Sequence, residues 1–95
     1  MKTRHRLKCD AAQFDEIMTG QRRFELRNDD RNFSVGDILE LHRWDPEKQW
    51  ETGKTCQVRV LSLLRLSECT IPQLREFPWV VIMSISAPVG VRLLS

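Results

Sequence analysis

The chain has 95 residues, 41% of them apolar and 29% charged, which fits one soluble globular domain and excludes a disordered chain. Its formal net charge of +2 is too small to name a partner by itself. No apolar run approaches the roughly 18 residues that a membrane span needs, and the charged start "MKTRHRLKCD" lacks the apolar stretch of a secretory leader. A cytoplasmic protein is expected. Cys9, Cys56 and Cys69 are odd in number and have no CxxC spacing, so neither a disulfide framework nor a structural zinc site is expected. A metal shared by His5, Cys9 and His42 is the weaker reading. No metal and no cofactor are expected.

Residues 4–9 read as a first strand, with Leu7 and Cys9 turned toward the core. Lys2, Arg4, Arg6 and Lys8 occupy every second position and so share its other face. Such a stripe suits a polyanion, or it guards a solvated strand edge. Asp10 and Gln13 have the spacing of a capping box. Ala11, Phe14, Ile17 and Met18 then follow the period of one buried helix face, which predicts a helix over 10–19 with Gly20 ending it in a left-handed conformation.

"RRFELRN" alternates Phe24 and Leu26 with Arg23, Glu25 and Arg27, the period of a half-buried strand held to the core by its two apolar residues. "NDDRN" and "SVGD" are turns, the second with Gly36 available for a positive φ. A strand is expected over 38–44. A long polar connection, "DPEKQWETGK", leads to a second strand in "TCQVRVLSLLRL", with Val58 and Val60 on one face. Residues 67–77, with Pro72, hold one helical turn. "WVVIMSI" (79–85) is a buried strand by its β-branched content, with Trp79 in the core. Val91, Leu93 and Leu94 suggest a short docked strand in the tail. The expected fold is α+β: a small mixed β-barrel with one main N-terminal helix and a short second helix, forming a single domain with its core over 5–86 and a tail over 87–95.

"GQRRFELR" (20–27) resembles the G-x-K-x-x-E-x-R signature of ASCH domains in the PUA-like superfamily, with Gly20, Glu25 and Arg27 matching and Arg22 standing for the usual lysine. His5, Leu7 and Lys8, then Asp30 and Arg31, then Val35, Gly36 and Asp37, then Trp44 and Asp45 extend the likeness to a bacterial and phage subfamily, over about residues 5–86. The resemblance implies a PUA-like barrel with a cleft beside the helix and the following strand. It also implies RNA binding, as proposed for these domains. Some small members hydrolyse N4-acetylated cytidine with the signature lysine, a threonine at the Glu25 position and a later glutamate. Arg22 stays protonated and cannot act as a base or amine nucleophile, which counts against that chemistry here.

The expected ligand site is a basic cleft for RNA or a nucleotide-like molecule, lined by Lys8, Arg22, Glu25, Arg27 and Arg31. A carboxylate accepts from an exocyclic amine, and an arginine fork takes a phosphate or a base edge. The plain alternative for Glu25 and Arg27, two residues apart on one face, is an internal ion pair. Trp50, in a polar stretch, is the candidate for stacking a base, while Trp44 caps the barrel end. Lys8 and Lys54 are the lysines that could replace the signature one. A second class of reading is a hydrolase of modified nucleosides or a ribonuclease, with His5, Lys8 and Glu25 as catalytic candidates. Ser34, Thr55 and Ser62 have no neighbours at the spacing of a nucleophile triad. A third is a phage or bacterial factor that binds another protein.

Overall fold

The computed structural model describes residues 2–93. Six strands and one helix follow in the order β1 (Arg4–Asp10), α1 (Ala11–Thr19), β2 (Phe24–Asn28), β3 (Ile38–Asp45), β4 (Trp50–Arg65), β5 (Val80–Ile85) and β6 (Val89–Leu93), with 3₁₀ turns at Leu66–Glu68 and Pro72–Glu76 between β4 and β5. The fold is α+β. The strand order is β1-β3-β4-β5-β2, and β6 also pairs with β4. β1 runs parallel to β3, and every other pairing is antiparallel.

β4 is long enough to serve two neighbourhoods. Its first half pairs with β3 and β6, and its second half with β5. The register slips between Val60 and Ser62, where the strand passes from one set of partners to the other. A bulge of this kind bends a strand and raises its twist. The sheet therefore curls, but it does not close: β1 and β2 are both edges, joined through α1.

Inside the curl lie Leu7, Cys9, Leu39, Leu41, Cys56, Val58, Val60, Val81, Met83 and Ile85, covered by Phe14 and Ile17 of α1. The helical period forecast this face of α1, and Phe14 and Ile17 are fully buried. Each such side chain contributes roughly 1.5–3 kcal/mol. Gly20 ends α1 at φ 85°, its N–H donating back to the last turn. Asp10 makes no side-chain cap, however. It is still part of the ladder, opposite Trp44, so the chain turns from strand into helix without the expected capping box.

Three further expectations are corrected. The β3–β4 connection is short rather than long, because Asp45 already pairs with Trp50 and its Oδ1 accepts from the N–H groups of Glu47 and Lys48. Trp79 precedes β5 and is 56% exposed, not core. β2 faces the other way from its apolar pattern: Glu25 is buried, whereas Phe24 and Leu26 are 44% and 57% exposed. β6 does dock on β4, but every one of its residues stays exposed. Leu94 lies outside the described residues.

Candidate functional site: a groove between two strand edges

The gap left between β1 and β2 forms a groove of about 700 Å³. Arg6, Leu7 and Lys8 supply one wall, and Leu26, Arg27 and Asn28 the other. Asp30, Arg31 and Phe33 from the following loop, with Val80 and Glu51, complete it. Its cations project from both sides, and Leu7, Leu26, Phe33 and Val80 give it an apolar lining.

The chemistry of the β1 wall follows from strand geometry. The Thr3 carbonyl accepts from the Ile38 N–H, so odd-numbered residues of β1 turn their peptide groups to β3. The peptide groups of Arg6 and Lys8 consequently face the groove. Their carbonyls are already occupied. Arg27 Nη2 donates to the Lys8 carbonyl at 2.6 Å, and Arg31 Nη1 donates to that of Arg6 at 3.2 Å. A bare strand edge offers donors and acceptors alternately and invites another strand. Here the acceptors are covered by guanidinium groups, leaving N–H donors and cationic heads. That wall suits a ligand rich in acceptors and carrying negative charge.

Arg27 is fixed from behind. Its Nε donates to Glu25 Oε2 at 2.7 Å, and the Glu25 side chain is only 2% exposed. Glu25 Oε1 has no hydrogen-bond partner among the described residues. The signature pair is thus an internal ion pair whose arginine reaches the groove while its glutamate stays in the core. On the same inward face Arg65 spans Asp29 Oδ2 and the Phe33 carbonyl, both at 2.6 Å, and so anchors the loop that carries Asp30 and Arg31.

Lys8, Arg27 and Arg31 of the expected site do come together. Glu25 backs it without lining it. Arg22 does not reach it: its guanidinium holds Glu16 at 2.9 Å and lies over the Phe24 ring at 4.7 Å. Trp50 is 55% exposed but outside the groove, with Lys48 Nζ 5.6 Å from its ring. Trp44 lies under Lys8 Nζ at 4.0 Å instead of capping a barrel end. Lys54 lines a separate depression with Asp15 and Arg43. Sequence reasoning missed Asn28, Phe33 and Glu51; the unused signal was Phe33, an aromatic within a polar loop.

The basic stripe is largely answered by acids on neighbouring strands. Arg4 lies 3.5 Å from Glu40, and Arg6 3.2 Å from Glu51. His42 Nε2 is 2.7 Å from Glu40 Oε2, and hydrogen bonding to His42 holds the Glu40 carboxyl below its ordinary range. Lys8 and Arg31 have no carboxylate partner among the described residues, which leaves them the freest charges of the groove.

His5 faces inward and serves the fold. Its Nε2 lies 2.8 Å from Asp37 Oδ2, and its ring packs on Phe33 at 4.7 Å. Asp37 also accepts from the N–H groups of Thr3 and Ser34, each at 3.0 Å. Burial pushes the Asp37 carboxyl up, but these hydrogen bonds outweigh it and hold it below the ordinary carboxylate range. Of the three catalytic candidates only Lys8 lines the groove: His5 and Glu25 are buried, each tied to its own partner. Nor do His5, Cys9 and His42 share a metal, since His42 is on the opposite face of the sheet; no metal-binding cluster occurs among the described residues. Burial, with Glu25 nearby, pushes the Cys9 thiol up to about 12 and that of Cys56 to about 11, so both are protonated and inert.

No helix among the described residues is long and apolar enough to cross a membrane. In sequence the chain is 36% identical over 64 residues to an uncharacterized 12.9 kDa protein in the GpA 3′ region of Escherichia phage P2. That match takes in 67% of this chain and 57% of the phage protein, so the chain spans little more than half of its relative. Residues 4–82, from the start of β1 into β5 and including both groove walls, match the domain of unknown function DUF3850, and the chain belongs to that family.

Proposed function

We propose that the domain binds nucleic acid, RNA first, or a nucleotide-like ligand, in the groove between β1 and β2. The observation that carries this reading is the donor-only β1 edge: two strand carbonyls covered by Arg27 and Arg31, with Arg6 and Lys8 beside them. Phosphate oxygens accept without donating and match such a wall, and the apolar lining offers contact to a sugar or base. The ASCH-like signature supports the same reading, with the curled sheet taken as an opened PUA-like barrel. A bacterial cytoplasm, entered from the host or a phage genome, is the corresponding setting.

Fluorescence anisotropy with labelled RNA oligonucleotides, at low salt, tests this. Saturable binding that weakens about tenfold or more in Lys8→Ala and Arg31→Ala is expected, as is steady weakening with added salt. Absence of saturable binding to RNA, DNA and nucleotides at low salt would overturn it.

A further inference from the structure

Two charges of the groove wall, Arg6 and Glu51, also touch a histidine that lies outside the groove. The His42 side chain is only 8% exposed, on the outer face of the sheet. Its neighbours fix its state. A carboxylate only accepts, so the 2.7 Å contact from Nε2 to Glu40 Oε2 puts a proton on Nε2. A guanidinium only donates, so Arg6 Nη2 at 3.4 Å makes Nδ1 an acceptor. These contacts describe a neutral ring. The same Nη2 donates to Glu51 Oε2 at 3.2 Å and to Oε1 at 3.4 Å, and Glu51 Oε2 lies 3.7 Å from Nδ1. Arg6 thus stands between two acceptors, and one proton on the ring turns one of them into a donor.

We propose that His42 sets the charge of the groove by proton uptake: the protonated ring takes Glu51 from Arg6, and Arg6 is freed to hold a phosphate of the ligand. A proton on Nδ1 ends the bond from Arg6 and repels its guanidinium. It also turns an N–H toward the Glu51 carboxylate, where a charge-assisted bond forms with a short movement of that side chain. The Arg6 side chain is 63% exposed and has room to turn into the groove that it already lines. With a neutral ring, Arg4 and Arg6 balance Glu40 and Glu51, so one added proton leaves the cluster with a single positive charge. Hydrogen bonding to His42 holds the Glu40 carboxyl below its ordinary range, so Glu40 stays ionised while the ring titrates.

Among the described residues no other acid contacts the ring. From β1, Lys8 is the register neighbour of His42, but its Nζ lies over the Trp44 ring at 4.0 Å. From β4, Thr55 and Gln57 are uncharged. Arg92 of β6, opposite Thr55, is exposed and adds a cation to this face. Arg43, next to His42 on β3, is held by Asp15 of α1. His5 is on the inner face with Asp37. The consequence for a ligand rests on the nucleic-acid reading of the groove; the exchange of Glu51 between Arg6 and His42 does not.

Imidazole and guanidinium nitrogen NMR from about pH 8 to about pH 5.5, where histidine side chains titrate, follows that exchange with no ligand present. The His42 Nδ1 signal should pass from acceptor to N–H, and the Arg6 Nε signal should shift with the same midpoint. In Glu51→Gln, where Arg6 is free of the carboxylate from the start, the Arg6 step should shrink. Anisotropy with labelled oligouridine, whose bases gain no proton in this window, reads the effect on binding. Affinity should rise about fivefold on acidification and the log–log salt slope by about 1, for one added phosphate contact. The rise should fall to about twofold or less in His42→Gln. Glu51→Gln should bind at the higher pH about as tightly as the parent does at the lower. A His42 ring that stays neutral through the window, an Arg6 signal indifferent to it, or an equal rise in the parent and His42→Gln overturns the proposal. If no oligonucleotide binds at either pH, the nucleic-acid reading fails, and the NMR titration alone decides the exchange.

Discussion

Arg27 and Asp37 are the residues on which the site turns. Arg27 closes two valences at once, a buried carboxylate behind it and a strand carbonyl across the groove. Arg27→Ala leaves Glu25 buried without its cation, and removing one member of a buried pair costs about 3–5 kcal/mol. In a Glu25→Gln background no charge remains to be stranded, so the same substitution should cost clearly less. Urea unfolding of the four proteins measures the coupling directly. Asp37 gives the domain an acid limb. Its carboxyl is held below the ordinary range in the folded state, so its contribution is complete above the unfolded value near ~3.9 and is lost as pH falls through the lower folded value. The urea midpoint should thus drop steeply between about pH 4 and 2, and Asp37→Asn should flatten that drop while lowering the midpoint at neutral pH.

At the scale of elements, the sequence motifs prove to be joints between strands. His5 of β1 meets Asp37 at the end of the "SVGD" turn, so the H-x-L-K and V-G-D segments close on one another. Arg31 of "NDDRN" reaches the β1 edge. Gly36 supplies the turn at φ 91°, where its N–H donates to the Val60 carbonyl. Gly36→Ala puts an L-residue in left-handed backbone, at a cost of about 1–2 kcal/mol. A fall in Tm of about 5–10 °C is expected for a domain of this size, by calorimetry. The clash is secondary, because the new Cβ would meet only the flexible Lys2 side chain. The helix, Gly20, the β5 strand and the positive φ at Gly36 were all legible, because each rests on a local pattern or composition. The facing of β2 was not. Five residues that alternate apolar and charged fit a sheet either way up, and one flip reverses every side chain.

For the whole molecule, the consequence of an unclosed sheet is a groove whose walls come from segments about 20 residues apart. The charges that matter there are the ones left over after pairing. Arg4 and Arg6 are answered by Glu40 and Glu51, so the basic stripe is a weaker field than its spacing suggested. Salt titration of RNA binding should give a shallow log–log slope, of about 2 to 4 phosphates' worth, and Arg31→Ala should reduce it by about 1. Glu51→Gln should strengthen binding, because it removes an acid from the groove wall and releases Arg6. Anisotropy titrations across salt check both.

The sequence by itself determined the α+β class, the helix with its buried face, the places where the backbone must turn, and the association of Lys8, Arg27 and Arg31 with one site. The first three follow from periodicity and from residue types whose backbone preferences are local, whereas the grouping of the three cations came from the resemblance to the ASCH signature. Only the tertiary structure decided that Glu25 sits in the core and Arg22 on Glu16, that Phe24 and Leu26 face out, and that β1 and β2 stay apart as edges bridged by guanidinium groups. The physical reason is that burial and pairing are properties of neighbours. Met83 of β5, the Lys8 carbonyl of β1 and Arg65 of β4, which holds Asp29, are distant from β2 in sequence, and their positions fix which face of β2 is inside.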